Sequence, residues 1–488
     1  MKKQSLLKNF IFHYAYQGLI LIIPFIISPY LTRTLMENAL GTYTYTHSIA
    51  YYFVVAANLG IGTHGKRTIS RLAGKPEAQR KAFWSLFSLH AAISAVSVLL
   101  YFTFITFFVK ENRTLFIIQG LYVLSALFDI TWLFYGIENF SSVVIKNAAV
   151  KVSECAAIFA FVKSPSDLWI YTLIAAAGTL LGQMVMLPQA MRIFKPIKFG
   201  AADIKQHVKP LLVFSVALIA TSLYVVFDKT LLGILATAES VAFYEYSSKV
   251  INIPKTFAEG VSTVMFPRSC KLAADGNISE QKRYIRYSFW VTSFIGMASV
   301  FGLNAISELF VRIYYGSNFM ACAKIINVLS PLVYIISTGK ILRSQILIPN
   351  GMDIEFNKCI LYNAIINLIL SSLLIPKLDV YGAVIGTLAA ELFGFTYQMV
   401  LSRSFVDLRM ILETLMPFVC IGCIMYLCLR LLGGIAEKNA AGLLLLILAG
   451  GLLYSMLSAA YFLLFHPSEF KLLVSKIKKK VRKQGGNK

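Results

Sequence analysis

Charge is what this chain has least of. Of its 488 residues only 14% are charged, and 23 of these are acidic against 46 Lys and Arg. A soluble domain carries about 25% charged residues, so the shortage excludes a soluble globular protein. No G-x-x-x-x-G-K-[ST] loop is present, which excludes a built-in P-loop ATPase. No set of His, Cys, Asp and Glu has metal-site spacing, so neither metal nor cofactor is expected. The seven cysteines nearly all fall in or beside apolar segments. Cys420 and Cys423 have the spacing of a redox or metal pair, but they lie inside a lipid-length run with no His nearby and are read as packing. Long polar loops are also missing, which leaves no room for a soluble catalytic domain. The net charge of +23 sits in short loops and in the tail. With no soluble basic domain to present it, that charge does not indicate nucleic acid.

What is there is apolar. Hydrophobic residues make up 57% of the chain and the mean hydropathy is +0.69. A membrane helix needs about 20 mostly apolar residues. Candidate spans fall at 9–32, 41–63, 82–109, 113–137, 142–163, 167–191, 209–235, 240–266, 287–315, 321–348, 357–376, 380–402, 409–433 and 441–465. This predicts an all-α integral membrane protein with about fourteen transmembrane helices. Lys and Arg concentrate at the start (Lys2, Lys3, Lys8), at 66–81, 192–209 and 268–286, and in the tail after Pro467. An even number of spans separates these groups, so the positive-inside rule puts all of them, and both termini, in the cytoplasm. The first apolar run is too long for a signal peptide and has no small-residue cleavage site, so it reads as a retained helix.

The chain also echoes itself. Tyr43, Tyr45 and Arg67 recur as Tyr244, Tyr246 and Arg268, all at one offset of 201 residues and inside similar apolar hairpins. Repeated halves with a substrate site between them are a common transporter architecture.

Ionisable residues at bilayer depth are expensive and mark functional candidates. Arg33 closes the first span at its outer end, as a snorkelling anchor or as a cation facing a cavity. Asp228, Lys229, Glu245 and Lys249 fall at similar depth on the seventh and eighth spans, as an ion-pair network or as a cavity lining. Asp129 and Glu154 lie in the first half, paired with Lys146 or Lys151 or carrying a proton or Na⁺. Glu391 has no evident partner. Glu308 and Arg312 have i,i+4 spacing and read as an interfacial pair. Lys340 and Arg343 read as positive-inside residues or as a catch for an anionic head group. His13, His47 and His90 are single and read as core or pore residues rather than ligands. Pro24 and Pro29 are expected to kink the first helix, and Pro254 and Pro331 to interrupt the eighth and tenth.

Six segments stand out in order along the chain: Pro29-Tyr-Leu-Thr-Arg33 with Gly41-Thr-Tyr43, Asp228-Lys-Thr-Leu-Leu-Gly233, Tyr244-Glu-Tyr-Ser-Ser-Lys249, Phe266-Pro-Arg268, Tyr315-Gly-Ser-Asn-Phe319, and Ile375 through Gly382 to Glu391. Together they resemble the Wzx-type polysaccharide flippases of the multidrug/oligosaccharidyl-lipid/polysaccharide exporter superfamily. The resemblance covers most of residues 8–405. It implies two six-helix lobes, about 1–195 and 205–405, around a central cationic cavity. A C-terminal helix pair (406–466) and a basic cytoplasmic tail (467–488) follow. It implies a multi-pass protein of the bacterial cytoplasmic membrane that is not an enzyme. The substrate would be an undecaprenyl-pyrophosphate-linked oligosaccharide, turned to the outer leaflet by alternating access for capsule, exopolysaccharide or O-antigen-type synthesis. Membrane lipids, H⁺ or Na⁺ as coupling ion and the polysaccharide polymerase machinery are the implied partners. Arg33, Lys249, Lys229, Tyr43 and Tyr244 are the substrate-facing candidates. Asp228, Glu245, Asp129, Glu154 and Glu391 are the ion-coupling or charge-network candidates. The alternatives are a lipid II flippase or a multidrug/cation antiporter of the same superfamily. A polymerase or ligase acting on lipid-linked sugars would need a longer external loop.

Overall fold

The structure is a computed structural model and describes residues 22–467 except 436. Lys2, Lys3, Lys8, His13 and residues 468–488 of the expected tail lie outside the described residues. Among the described residues there is no strand. Nine helical stretches among them are long and apolar enough to cross a membrane.

The first half runs through α1 (22–34), α2 (Met36–Asn58), α3 (Ile61–Arg71), α4 (Pro76–Phe108), α5 (Arg113–Ser125), α6 (Thr131–Gly136), α7 (Phe140–Phe161), α8 (Leu168–Met184) and α9 (Leu187–Ile193). The second half runs through α10 (Ala201–Leu235), α11 (Ala238–Ala274), α12 (Ile278–Tyr314), α13 (Ala321–Leu329), α14 (Leu332–Leu342), α15 (Asp353–Leu378), α16 (Val380–Leu401), α17 (Leu408–Ile435) and α18 (Ala440–Phe465). These helices fall on the apolar spans and overrun several of them at their charged ends. α4, for example, starts at Pro76, where a missing N–H costs nothing because the first helical turn has no acceptor for it.

Proline is an incomplete guide to the breaks. The tenth span does divide at Pro331, between α13 and α14, and continues into a π turn at Arg343–Leu347. Pro254, expected to interrupt the eighth span, instead lies inside the continuous helix α11. One lost backbone bond does not end a long membrane helix whose other bonds have no water to replace them. The fourth span breaks without proline. After a 3₁₀ turn at Ala126–Phe128 the chain is extended at Asp129, with ψ 100°. Cys420 and Cys423 are exposed on α17 and free, so they face outward rather than packing inside.

The chain forms two compact units. One comprises the described residues up to Glu245, with Tyr315–Phe319 and Ala364–Thr387. The other comprises Tyr246–Tyr314, Met320–Asn363 and the described residues from Leu388 on. Lipid is as apolar as leucine, so helix association in a membrane depends on close fit rather than on apolar burial. In the first unit Trp132 packs with Ile69, Phe83, Leu86 and Phe134. A Cβ on Gly65 would lie 2.5 Å from the Trp132 ring, so only glycine admits the indole there. In the second unit α12, α17 and α18 enclose Trp290, Met297, Phe418, Met425 and Tyr454. Large apolar side chains such as Leu99, Phe107, Leu431 and Leu452 stay exposed, as a lipid-facing surface requires.

Candidate functional site

Four helices of the first unit converge on one carboxylate. α10 supplies Asp228, which is buried. Tyr244 on α11 donates its hydroxyl to Asp228 Oδ2 at 2.6 Å. Thr387 on α16 donates to the same oxygen at 2.7 Å. Ser371 on α15 donates to Oδ1 at 3.4 Å, and Asn367, one turn earlier on the same face, donates its amide to Thr387 Oγ1 at 3.4 Å. Gly386 makes the approach possible: a Cβ there would lie 2.3 Å from Ser371 Oγ. Among the described residues no Lys, Arg or His stands within salt-bridge distance of Asp228. A buried charge is costly unless it is paired, hydrogen-bonded or neutralised. Here hydroxyl groups supply the bonds and leave the charge uncancelled. The cage can therefore take up a proton or a hard cation, for which an oxygen-only set is the fitting chemistry.

Of the four charges expected at one depth, two form an ion pair in the first unit. Lys229 pairs with Glu245 at 2.6 Å, both partly buried, while its neighbour Asp228 points into the cage. More polar contacts tie the same unit together. Tyr52 meets Thr230 at 2.9 Å, Asn38 donates to Glu239 at 2.5 Å and Ser240 donates to Asp379 at 2.8 Å.

The remaining candidates have surroundings of their own. Arg33 is exposed on α1 and donates from Nη1 to the Pro29 carbonyl at 2.8 Å. Tyr43 packs against Tyr171 and His47, with ring centroids at 4.6 and 5.7 Å. Asp129 sits at the break in the fourth span and accepts from the backbone N–H and the hydroxyl of Thr131, at 3.0 and 2.6 Å. Glu154 is buried on α7 and pairs with Lys151 at 2.6 Å. In the second unit Lys249 lies over the Tyr246 ring, 4.1 Å from its centroid. Lys340 pairs with Glu259 at 2.7 Å. Glu391 shares an electrostatic neighbourhood with Glu259 and Arg343. Among the described residues Glu308 and Arg312 do not form the ion pair their spacing suggested.

Sequence reasoning found Asp228 and Tyr244 but missed Thr387, Ser371 and Asn367. Neutral polar side chains carry no charge signal in an apolar span. The only available sign was the i,i+4 placement of Asn367 and Ser371.

A histidine pair was missed as well. His64 on α3 and His207, in the two polar turns of α10 that precede its apolar stretch at 209, are both buried and meet Nε2 to Nδ1 at 3.0 Å. The other His207 nitrogen lies 3.2 Å from Ser85 Oγ. Burial, with His64 alongside, pushes His207 down to about 4. Burial and Arg67 push His64 down too. Next to the pair, Asp203 caps α10 by accepting from the Gly200 N–H and pairs with Lys81 at 2.9 Å. These contacts hold its carboxyl below the usual range.

Lipid-length helices that bury a hydroxyl-caged carboxylate and half-bury a lysine–glutamate pair define a polytopic helical membrane protein of transporter type. The chain belongs to the polysaccharide biosynthesis protein family, whose model matches residues 6–273. It is 25% identical over 389 residues to a protein of Shigella dysenteriae provisionally named O-antigen transporter, covering 79% of this chain and 96% of the relative. A protein of Escherichia coli K12 with the same provisional name is 21% identical over 394 residues, covering 80% and 94%. Among solved structures, the lipid II flippase MurJ in an inward closed conformation superposes with a TM-score of 0.76 at 16% identity, covering 94% of this chain and 99% of that one. A multidrug resistance MATE family transporter of the MOP superfamily, in an inward-facing conformation, gives 0.56 at 13% identity, covering 79% and 98%. The fold is therefore the one these transporters share.

Proposed function

We propose that this protein is an ion-coupled flippase. It would turn an undecaprenyl-pyrophosphate-linked oligosaccharide from the cytoplasmic to the outer leaflet of the bacterial inner membrane, with both termini in the cytoplasm. Family membership and two relatives named for O-antigen transport, each matched over more than nine-tenths of its length, support the substrate class. The observation that carries the mechanism is the Asp228 cage. A carboxylate held by Tyr244, Thr387 and Ser371, with no cationic partner among the described residues, has a different charge according to whether a proton or Na⁺ is bound. Helices that share such a site can have two preferred packings, one for each occupancy. Alternating access of the expected lobes, 1–195 and 205–405, would use that difference to reset the carrier.

Arg33 and Lys249 are the proposed phosphate-facing cations. Pyrophosphate needs such partners because its charge cannot cross hydrocarbon unaided, and charge-assisted hydrogen bonds are the strong ones. Tyr43 is proposed to meet sugar hydroxyls. On this reading the protein makes and breaks no covalent bond, and the polymerase machinery that consumes the flipped unit is its proposed functional partner.

The test is leaflet translocation of a fluorescent undecaprenyl-pyrophosphate oligosaccharide in proteoliposomes, with imposed Na⁺ or pH gradients. Wild type should move the lipid faster with one gradient. Asp228→Asn should lose that acceleration, and Arg33→Ala with Lys249→Ala should lose uptake at every gradient. A wild type that moves only small organic cations would replace this reading with an antiporter. Equal rates for lipid II and the oligosaccharide lipid would overturn the assigned substrate.

A further inference from the structure

Two cavities in the second unit lie next to each other along the C-terminal helix pair. The first, of about 300 Å³, has a mixed lining that includes charged side chains and lies where α12 ends and α17 turns into α18. Arg312, Arg430 and Lys438 line it, with Glu308 and the small residues Gly433 and Gly434. Three cations face one carboxylate, and among the described residues none of the four is in an ion pair. Arg430 reaches the ring and hydroxyl of Tyr426, the latter at 3.2 Å. The second cavity, of about 440 Å³, is an apolar groove floored by Ala298, Gly302, Met425, Gly450, Gly451 and Tyr454. Leu429 and Leu446 line both cavities. The groove asks for no polar ligand: the Tyr454 hydroxyl already donates to the Phe294 carbonyl at 3.0 Å, and Ser299 donates to Ile295 at 2.7 Å.

We infer that the two adjacent cavities together form a binding site for an anionic glycerophospholipid. Its phosphate sits among Arg312, Arg430 and Lys438, and one acyl chain lies in the groove. Charge selects the head group, since three cations against one carboxylate at a membrane surface attract anionic lipid. Length selects the tail. Along α12 the groove runs from Ile306 to Phe294, which at 1.5 Å per residue is about 18 Å. That is close to one leaflet of a hydrocarbon core about 30 Å thick. It suits an acyl chain hanging from a head group at the mouth, and it is short for a polyprenyl chain that must reach further. The basic residues Arg283 and Arg286 lie at the other end of α12, so the positive-inside bias assigns the mouth to the outer leaflet. This site shares no residue with the Asp228 cage and does not depend on the proposed substrate.

Native mass spectrometry of the purified full chain tests the site. It would be incubated with phosphatidylglycerol, phosphatidylethanolamine, undecaprenyl phosphate or glycerol phosphate. Phosphatidylglycerol should be retained at least fivefold more than phosphatidylethanolamine, and glycerol phosphate should not be retained. The variant Arg312→Ala/Arg430→Ala/Lys438→Ala should lose that preference. Gly451→Leu should fill the groove and lower retention at least fivefold. A Cβ at Gly451 meets nothing within 4 Å, so this variant should fold, which its melting temperature will check. Equal retention of the two phospholipids would overturn the inference. So would an unaffected triple variant, an unaffected Gly451→Leu, or displacement of phosphatidylglycerol by equimolar undecaprenyl phosphate.

Discussion

Lys229 and Glu245 stand 2.6 Å apart, while the hydroxyls of Tyr244, Thr387 and Ser371 hold the carboxylate of Asp228. Adjacent residues on a helix point about 100° apart, so one turn of α10 presents a cation to Glu245 and an anion to Tyr244 and Thr387. The pair should stabilise the first unit. Both side chains are partly exposed, so Lys229→Ala and Glu245→Ala should each cost about 1–2 kcal/mol, below the range for fully buried pairs. The double variant should cost clearly less than the two combined, and Lys229→Glu with Glu245→Lys should recover more than half of the loss. Thermal melting of the four proteins measures this. Additivity within about 0.3 kcal/mol would remove the coupling.

Glu154 owes its position to a glycine. A Cβ on Gly178 would lie 2.6 Å from Glu154 Oε1, so Gly178→Ala should push the carboxylate off Lys151 and destabilise by about 1–3 kcal/mol. Truncating the acid should relieve the clash. Glu154→Ala in the Gly178→Ala background should therefore melt higher than Gly178→Ala alone. If it melts lower, the strain lies elsewhere.

Gly41 marks a closer approach. Its missing Cβ would sit 1.6 Å from the Ala238 carbonyl oxygen, a backbone atom that cannot rotate away. Gly41→Ala should therefore cost at least about 3 kcal/mol and sharply reduce the folded yield seen by fluorescence-detected size exclusion. Gly62→Ala, where a Cβ meets nothing within 4 Å, should express like wild type.

The His64–His207 pair predicts a pH response. Both are held neutral below the ordinary histidine range, His207 down to about 4. The unfolded chain binds more protons than the folded one between about pH 6.5 and 4, so stability rises with pH across that window and is lost as pH falls through it. Arg67, Asp203 and Lys81 are the charged neighbours, and Ser85 faces the pair from α4. For His207 alone the effect approaches about 3 kcal/mol. The melting temperature should fall from pH 6.5 to 4.5, and His207→Leu should flatten the fall. An unchanged slope would assign the response to other groups.

Hydropathy made the helices legible, because lipid demands about 20 apolar residues whatever the tertiary packing. It also exposed Asp228, Lys229 and Glu245, since charge inside such a run stands out. It could not tell which charges pair: Lys229 chose Glu245 rather than Asp228 through side-chain direction, which hydropathy does not record. Thr387, Ser371 and Asn367 were silent because neutral polar residues are common in membrane helices. The break at Asp129 was silent because it has no proline. Its local signature is the Asp129 carboxylate capping Thr131, an interaction that competes with helical bonding.

The π turn at Arg343–Leu347 also gives the chain a place where its length can change. A π turn closes with one residue more than the α turn it replaces, so it absorbs a single inserted residue without unpairing the helix on either side. Relatives that run as plain α helix here should align to this chain with a one-residue gap between Lys340 and Ile348. Downstream of that gap their side chains should keep the same facing as here, so the register of everything from Asp353 onward survives a change in chain length.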